Sequence, residues 1–157
     1  MKQIGQSEIE KACEIIDALD DDGIEKICEK HVSKQPYLFD YILSASVEYN
    51  NPELEGIIIY YFCLFMEICL SSNEQSKIIK EQEIIDFEED FLTIIKEYFN
   101  SENIELLEEY TDQPELIQFM IIEISTPDDD GTQLDDETAI QLFISSIATI
   151  KLLFNFN

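Results

Sequence analysis

Apolar residues recur at three- and four-residue steps from one end of this 157-residue chain to the other, the spacing of an amphipathic helix. Asn-Gly and similar strand–turn–strand signals are missing, so an all-α fold is expected. Ile9, Ala12, Cys13, Ile16 and Leu19 share one face, with Ser7 placed to cap the helix that carries them. The run Asp20–Gly23 breaks this pattern, and Ile24, Ile27, Cys28 and Val32 resume it. Pro36 suits the first turn of the next helix, which turns Leu38, Tyr41, Ile42, Ala45 and Tyr49 inward. Asn51 before Pro52 is a start signal: a capping side chain, then a residue whose missing N–H costs nothing at that position. The helix it opens is apolar on every side from Ile57 to Met66, which places it at the centre of a bundle.

After a polar break at Ser71–Ser76, Ile84, Phe87, Phe91, Ile94, Ile95 and Tyr98 form the stripe of an outer helix. Ile104, Leu107 and Tyr110 mark a short helix. Asp112 with Glu115 reads as a capping box, with Pro114 in the first turn. The nearly continuous apolar run Leu116–Ile124 is then helical rather than extended. Asp135 or Asp136 caps the last helix, whose seam is Ile140, Phe143, Ile144, Ile147, Ile150 and Phe154. Neither a linker composition nor a repeat of fixed period marks a boundary. The expectation is a single-domain helical bundle of six or seven helices over residues 1–157, with central apolar helices near 52–71 and 136–156.

Charge is the second constraint. The chain holds 35 Asp and Glu against 9 basic residues, all lysine, for a formal charge of −26. Disorder does not follow, because 45% of residues are hydrophobic and ten are Phe, whereas disordered acidic chains are poor in both classes. Direct nucleic-acid binding is disfavoured, since phosphate contacts need Lys or Arg. The absence of Arg is weak evidence in itself: 26 Ile against two Val is the bias expected of an AT-rich genome, which still supplies Lys freely. No signal-peptide pattern opens the chain. The stretch Ile57–Leu70 is too short for a bilayer span, and the longer one from Ala139 to Phe156 is interrupted by Gln141, Ser145, Ser146, Thr149 and Lys151. Cys13, Cys28, Cys63 and Cys69 lie inside helical patterns, as buried free thiols do. A cytoplasmic protein without a membrane span is expected.

Few constellations carry chemistry. The segment Thr126–Glu137 resembles in part the calcium loop of the EF-hand, with Asp128, Asp130, Gly131 and Glu137 at its third, fifth, sixth and twelfth positions. Ala18–Glu29 places Asp20, Asp22, Gly23 and Glu29 likewise. Both depart from that family at the first position, Thr126 or Ala18, and at the eighth, Gln133 or Glu25; Pro127 is also out of place. The simpler account is that Asp clusters end one helix and cap the next, leaving Asp128, Asp130 and Glu137 as a weak metal alternative. His31, three residues after Cys28, is a lone histidine and reads as a helix-end residue. No nucleophile motif or phosphate loop is present, so neither catalytic residues nor a cofactor is expected. Glu67 stands out as an acid inside the apolar helix, bonded to a tyrosine such as Tyr60 or Tyr61 or facing a groove.

The acids are uneven. Fourteen fall between Glu97 and Glu137 without one lysine, and none follows Thr138. This magnitude exceeds what solubility requires of a small domain. The expectation is a non-enzymatic acidic protein that neutralises or sequesters a basic protein partner, by analogy of charge and size with small immunity proteins and nucleic-acid mimics. Glu102, Glu105, Glu108, Glu109, Asp112 and Glu115 form one expected contact group, and Asp128, Asp129, Asp130, Asp135, Asp136 and Glu137 a second. Tyr98, Phe99 and Tyr110 supply apolar anchors. The alternatives are an ion- or small-molecule-responsive helical domain, or an oligomeric component whose C-terminal helix forms a homodimer seam.

Overall fold

Asp20 converts the DDDG break into a helix start: its Oδ1 accepts from Gly23 N at 2.7 Å. The first apolar pattern is therefore two helices, α1 (Gln6–Asp17) and α2 (Asp21–Lys34). A computed structural model describes residues 3–72 and 77–154 of the chain, so the expected break at Ser71–Ser76 and the last residues of the 136–156 stretch lie partly outside the described residues. The remaining helices are α3 (Pro36–Glu48), α4 (Pro52–Ser71), α5 (Glu81–Ser101), α6 (Ile104–Thr111), α7 (Pro114–Ser125) and α8 (Asp136–Leu153). The all-α class holds, and the described residues form eight helices rather than six or seven.

Two start signals and one inward-facing residue differ from the sequence reading. The α1 N-cap is Gly5, with Ser7 inside the helix. The α7 N-cap is Gln113, while Asp112 is the left-handed C-cap of α6 at φ 55°. Tyr49, expected inward, is the exposed C-cap of α3. Asn51 and Asp135 cap as expected, accepting from Leu54 N and Thr138 N.

α4 and α8 form the central pair. They run side by side in one direction: Asn51 Nδ2 donates to Thr138 Oγ1 at 2.9 Å at their starts, and the Phe65 and Phe154 rings meet edge to face at 6.5 Å at their ends. Phe62, Phe65, Leu64 and Met66 of α4 and Ile147 and Ile150 of α8 are fully buried, each such side chain contributing about 1.5–3 kcal/mol by leaving water. Ser145, Ser146 and Thr149, which interrupt α8 in the sequence, are buried too. Their small size lets α4 approach, and Thr149 Oγ1 satisfies itself on Ser145 O at 2.7 Å. Among the described residues, α4 is the one helix long and apolar enough to cross a membrane by length and composition. In this fold it is enclosed by α1, α2, α3 and α8.

The eight helices fall into two halves of the same order. Each holds four helices, with a buried Gln before Pro ahead of the third, that third helix begun by the Pro, and a capped central helix as the fourth. Gln35 and Gln113 are both fully buried N-caps, with nearly equal backbone angles of −136°, 61° and −135°, 66°. Their side chains cross over: Gln35 Oε1 accepts from Ile79 N at 2.9 Å in the second half, and Gln113 Oε1 accepts from Ile4 N at 2.8 Å in the first. Each gripped isoleucine stands two residues before a helix, α5 or α1. Unequal connections hide this correspondence from any search for a fixed period.

Candidate functional site

The two expected acidic groups occupy opposite ends of α7. Asp112 and Glu115 flank its start, and Asp128 follows its last turn; 12 residues of helix separate them by roughly 18 Å. Glu102, Glu105, Glu109, Asp112 and Glu115 are exposed, and Glu108 is half-buried. Asp112 accepts from Gln3 Nε2 at 3.0 Å, which ties the end of α6 to the chain start. In the second group, Asp128, Asp129, Asp130, Asp135, Asp136 and Glu137 are all exposed. Asp130 Oδ1 closes a turn on Thr132 N at 2.9 Å, and hydrogen bonding to the Thr132 side chain first, and to its backbone second, holds the carboxyl below the usual range. Asp135 is lowered in the same sense by its cap on Thr138.

No group of three or more His, Cys, Asp or Glu side chains that could hold a metal occurs among the described residues. Asp128, Asp130 and Glu137 are thus not brought together as a calcium set. Asp20 is spent as a cap, and Asp22 and Glu29 lie along α2, where a helix cannot fold them around one ion.

His31 lies in the last turn of α2, the helix-end position expected of it, but in the core rather than at the surface. It is fully buried, and its Nε2 lies 2.8 Å from Glu67 Oε1. Glu67 therefore bonds the histidine and not a tyrosine. Burial lowers the His31 pKa, against the opposing pull of Glu67. The nearby Cys63 thiol is pushed up to about 12, chiefly by burial and then by Cys28 and Glu67. A thiol so held is a packing group rather than a nucleophile.

A concave feature among the described residues lies elsewhere, in a cleft of about 380 Å³ between α4, the end of α7 and the connection to α8. Glu53, Gly56, Ile57, Tyr60 and Tyr61 line it from α4, at the spacing of one helix face. Glu123 and Ile124 come from α7, Asp128 and Leu134 from the connection, and Leu142 from α8. Tyr61 OH donates to Glu123 Oε1 at 3.2 Å, and Tyr60 OH donates to Asp17 Oδ1 at 3.1 Å. The two rings meet edge to face at 5.0 Å. Burial first, and the adjacent carboxylates second, raise both phenols far above their ordinary value, so both remain donors. Cys13 is pushed up to about 11 by burial and by Glu123, Asp17 and Glu10. Of these residues only Asp128 belongs to the set expected from sequence. Asp17, Glu53 and Glu123 come from three distant helices, and the legible signal was the face Glu53–Gly56–Tyr60, whose glycine and acid interrupt an otherwise apolar helix.

A second surface feature runs along α5. Ile85, Leu92 and Phe99 recur every seven residues and are 59%, 53% and 43% exposed. Glu81, Glu88 and Glu89 flank the row, with Lys96 as the cation on the same face. Phe99, one of the expected anchors, precedes Glu102 by three residues and packs its inner edge on Tyr98 at 5.3 Å. Tyr110 is half-buried under Lys151, whose Nζ donates to Tyr110 O at 2.8 Å. The α8 seam is mostly buried inside this chain, with Ile140 as its exposed large apolar residue. Comparisons with known protein families, with curated proteins and with solved structures find no match to this chain.

Proposed function

We propose that this protein is a non-enzymatic binder that sequesters a basic macromolecular partner through α5 and the acids that follow it. The carrying observation is the exposed row Ile85–Leu92–Phe99 leading into Glu102 and Glu105. An apolar row supplies the anchor that charge alone lacks, and the surrounding carboxylates steer a cationic surface onto it. Among contacts with both partners described, the cation–carboxylate pair within 4.0 Å is His31–Glu67 in the core, and Glu81, Glu89, Glu102 and Glu105 stand exposed along this surface. The partner class that fits is a basic helix with its own apolar stripe, laid along α5. The acids at the far end of α7 contribute long-range attraction rather than contact.

The test is retention of proteins from the soluble fraction of its own cells, at low and high salt. The reading expects a basic protein held in simple stoichiometry, released by salt, and lost from a Leu92→Ser/Phe99→Ser variant whose charge is unchanged. Retention of no basic protein, or equal retention by that variant, overturns it.

A further inference from the structure

We propose that the cleft between α4, α7 and the α7–α8 connection is a binding site for an aliphatic ammonium, the chemistry shared by a free polyamine and a lysine side chain offered by a partner. This concerns elements apart from the α5 row and does not depend on the reading given for it.

The origin of the cleft lies in the correspondence of the two halves. α3 packs against α8, but its counterpart α7 makes little direct contact with α4. The connection after α3 is three residues, Tyr49–Asn51, whereas the one after α7 runs from Thr126 to Asp135. The longer connection walls the gap with Asp128, Thr132 and Leu134 instead of closing it. Gly56 keeps it open from the other side, since a Cβ built there meets nothing within 4 Å.

The lining selects the ligand. Ile57, Ile124, Leu134 and Leu142 offer apolar surface, while Glu53, Glu123 and Asp128 bring carboxylates from three segments, and no lysine lines the space. An anion is repelled by this set, and a neutral apolar ligand would strip water from carboxylates without replacing it. A methylene chain ending in an ammonium satisfies both surfaces, and the tyrosine rings add a face for the cation. Glu123 is positioned to receive it: Tyr61 occupies Oε1, and Oε2 has no protein partner among the described residues. The volume, about 380 Å³, falls at the lower end of small-ligand sites, roughly 300–1,000 Å³.

Calorimetric titration of the full chain with spermidine, and separately with a lysine blocked at both termini, tests the proposal. One saturable site per chain is expected for at least one probe, and which probe binds identifies the source. Because a chain this acidic attracts any cation diffusely, Gly56→Phe provides the control: it fills the cleft without altering net charge. It and Glu123→Gln are each expected to weaken binding roughly tenfold or more, with folding verified by thermal melting. If Gly56→Phe fails to fold, Glu123→Gln decides the question. Absence of a saturable site for both probes, or wild-type affinity in the folded variants, overturns the proposal.

Discussion

His31 Nε2 and Glu67 Oε1, 2.8 Å apart, join α2 to the central helix α4 inside the core. The ring is fully buried, and its Nδ1 has no hydrogen-bond partner among the described residues. A neutral imidazole fits this setting, with Nε2–H donating to the carboxylate and Nδ1 as an acceptor held out of water. Truncating Glu67 to Ala leaves Nε2–H unpaired as well, and is expected to cost about 1–3 kcal/mol, read from urea denaturation. No change in midpoint would show that the bond contributes nothing net.

The same histidine sets a pH dependence. Its folded pKa lies below the ordinary value of 6.5, so the unfolded chain binds the proton first. His31's contribution is therefore full above about 6.5 and declines as pH falls through that value towards the folded pKa. Protonation of the many surface carboxylates at lower pH changes stability by a separate route, which the wild type shares with His31→Phe. The expected outcome is that the stability of wild type minus that of His31→Phe shrinks on acidification. A difference that stays flat or grows contradicts the assignment.

Gln35 and Gln113 are expected to act on opposite halves of the chain. Gln35→Ala frees Ile79 N and Lys77 O, and Gln113→Ala frees Ile4 N. Each lost buried partner costs about 1–3 kcal/mol. Amide exchange gives the sharper readout: Gln35→Ala should speed exchange at Ile79 and spare Ile4, and Gln113→Ala the reverse.

Two glycines should respond with opposite sign. Gly56 sits within α4 with open space at its Cβ, so Gly56→Ala is expected to stabilise by about 0.5–1 kcal/mol through helix propensity. Gly131 has φ +84°, and Gly131→Ala is expected to destabilise by about 1–2 kcal/mol because an L side chain is strained there. Melting temperatures of the two variants decide it.

Added monovalent salt should raise the melting temperature steadily. With 35 acids, 9 lysines and no lysine–carboxylate pair within 4.0 Å among the described residues, repulsion outweighs attraction at the surface. Screening by salt therefore removes more repulsion than attraction. A melting temperature that falls with salt would mean that attractive pairs dominate.

The local level of this fold was legible in the chain. The spacing Ile84–Phe91–Ile95 predicted the buried face of α5, and Asn51–Pro52 predicted the start of α4, because period and capping are short-range effects decided by neighbouring residues. Central placement of α4 followed from its lack of a polar face. The sequence reading missed the buried His31, since its partner Glu67 stands 36 residues away. It missed the two-half arrangement as well, because unequal connections erase the period while the crossed bonds of Gln35 and Gln113 link residues 44 and 109 apart.

Composition and spacing by themselves determined the helical class, the identity of the inner helices and the unbalanced charge, all of which depend on residue type and order alone. Where those charges stand relative to one another was decided by the tertiary structure. Glu53, Glu123 and Asp128 meet around one cleft only because α4 and α8 pack in parallel and a long connection holds α7 away from α4. Convergence of side chains is a property of helix packing and loop length, and no local pattern in the chain encodes it.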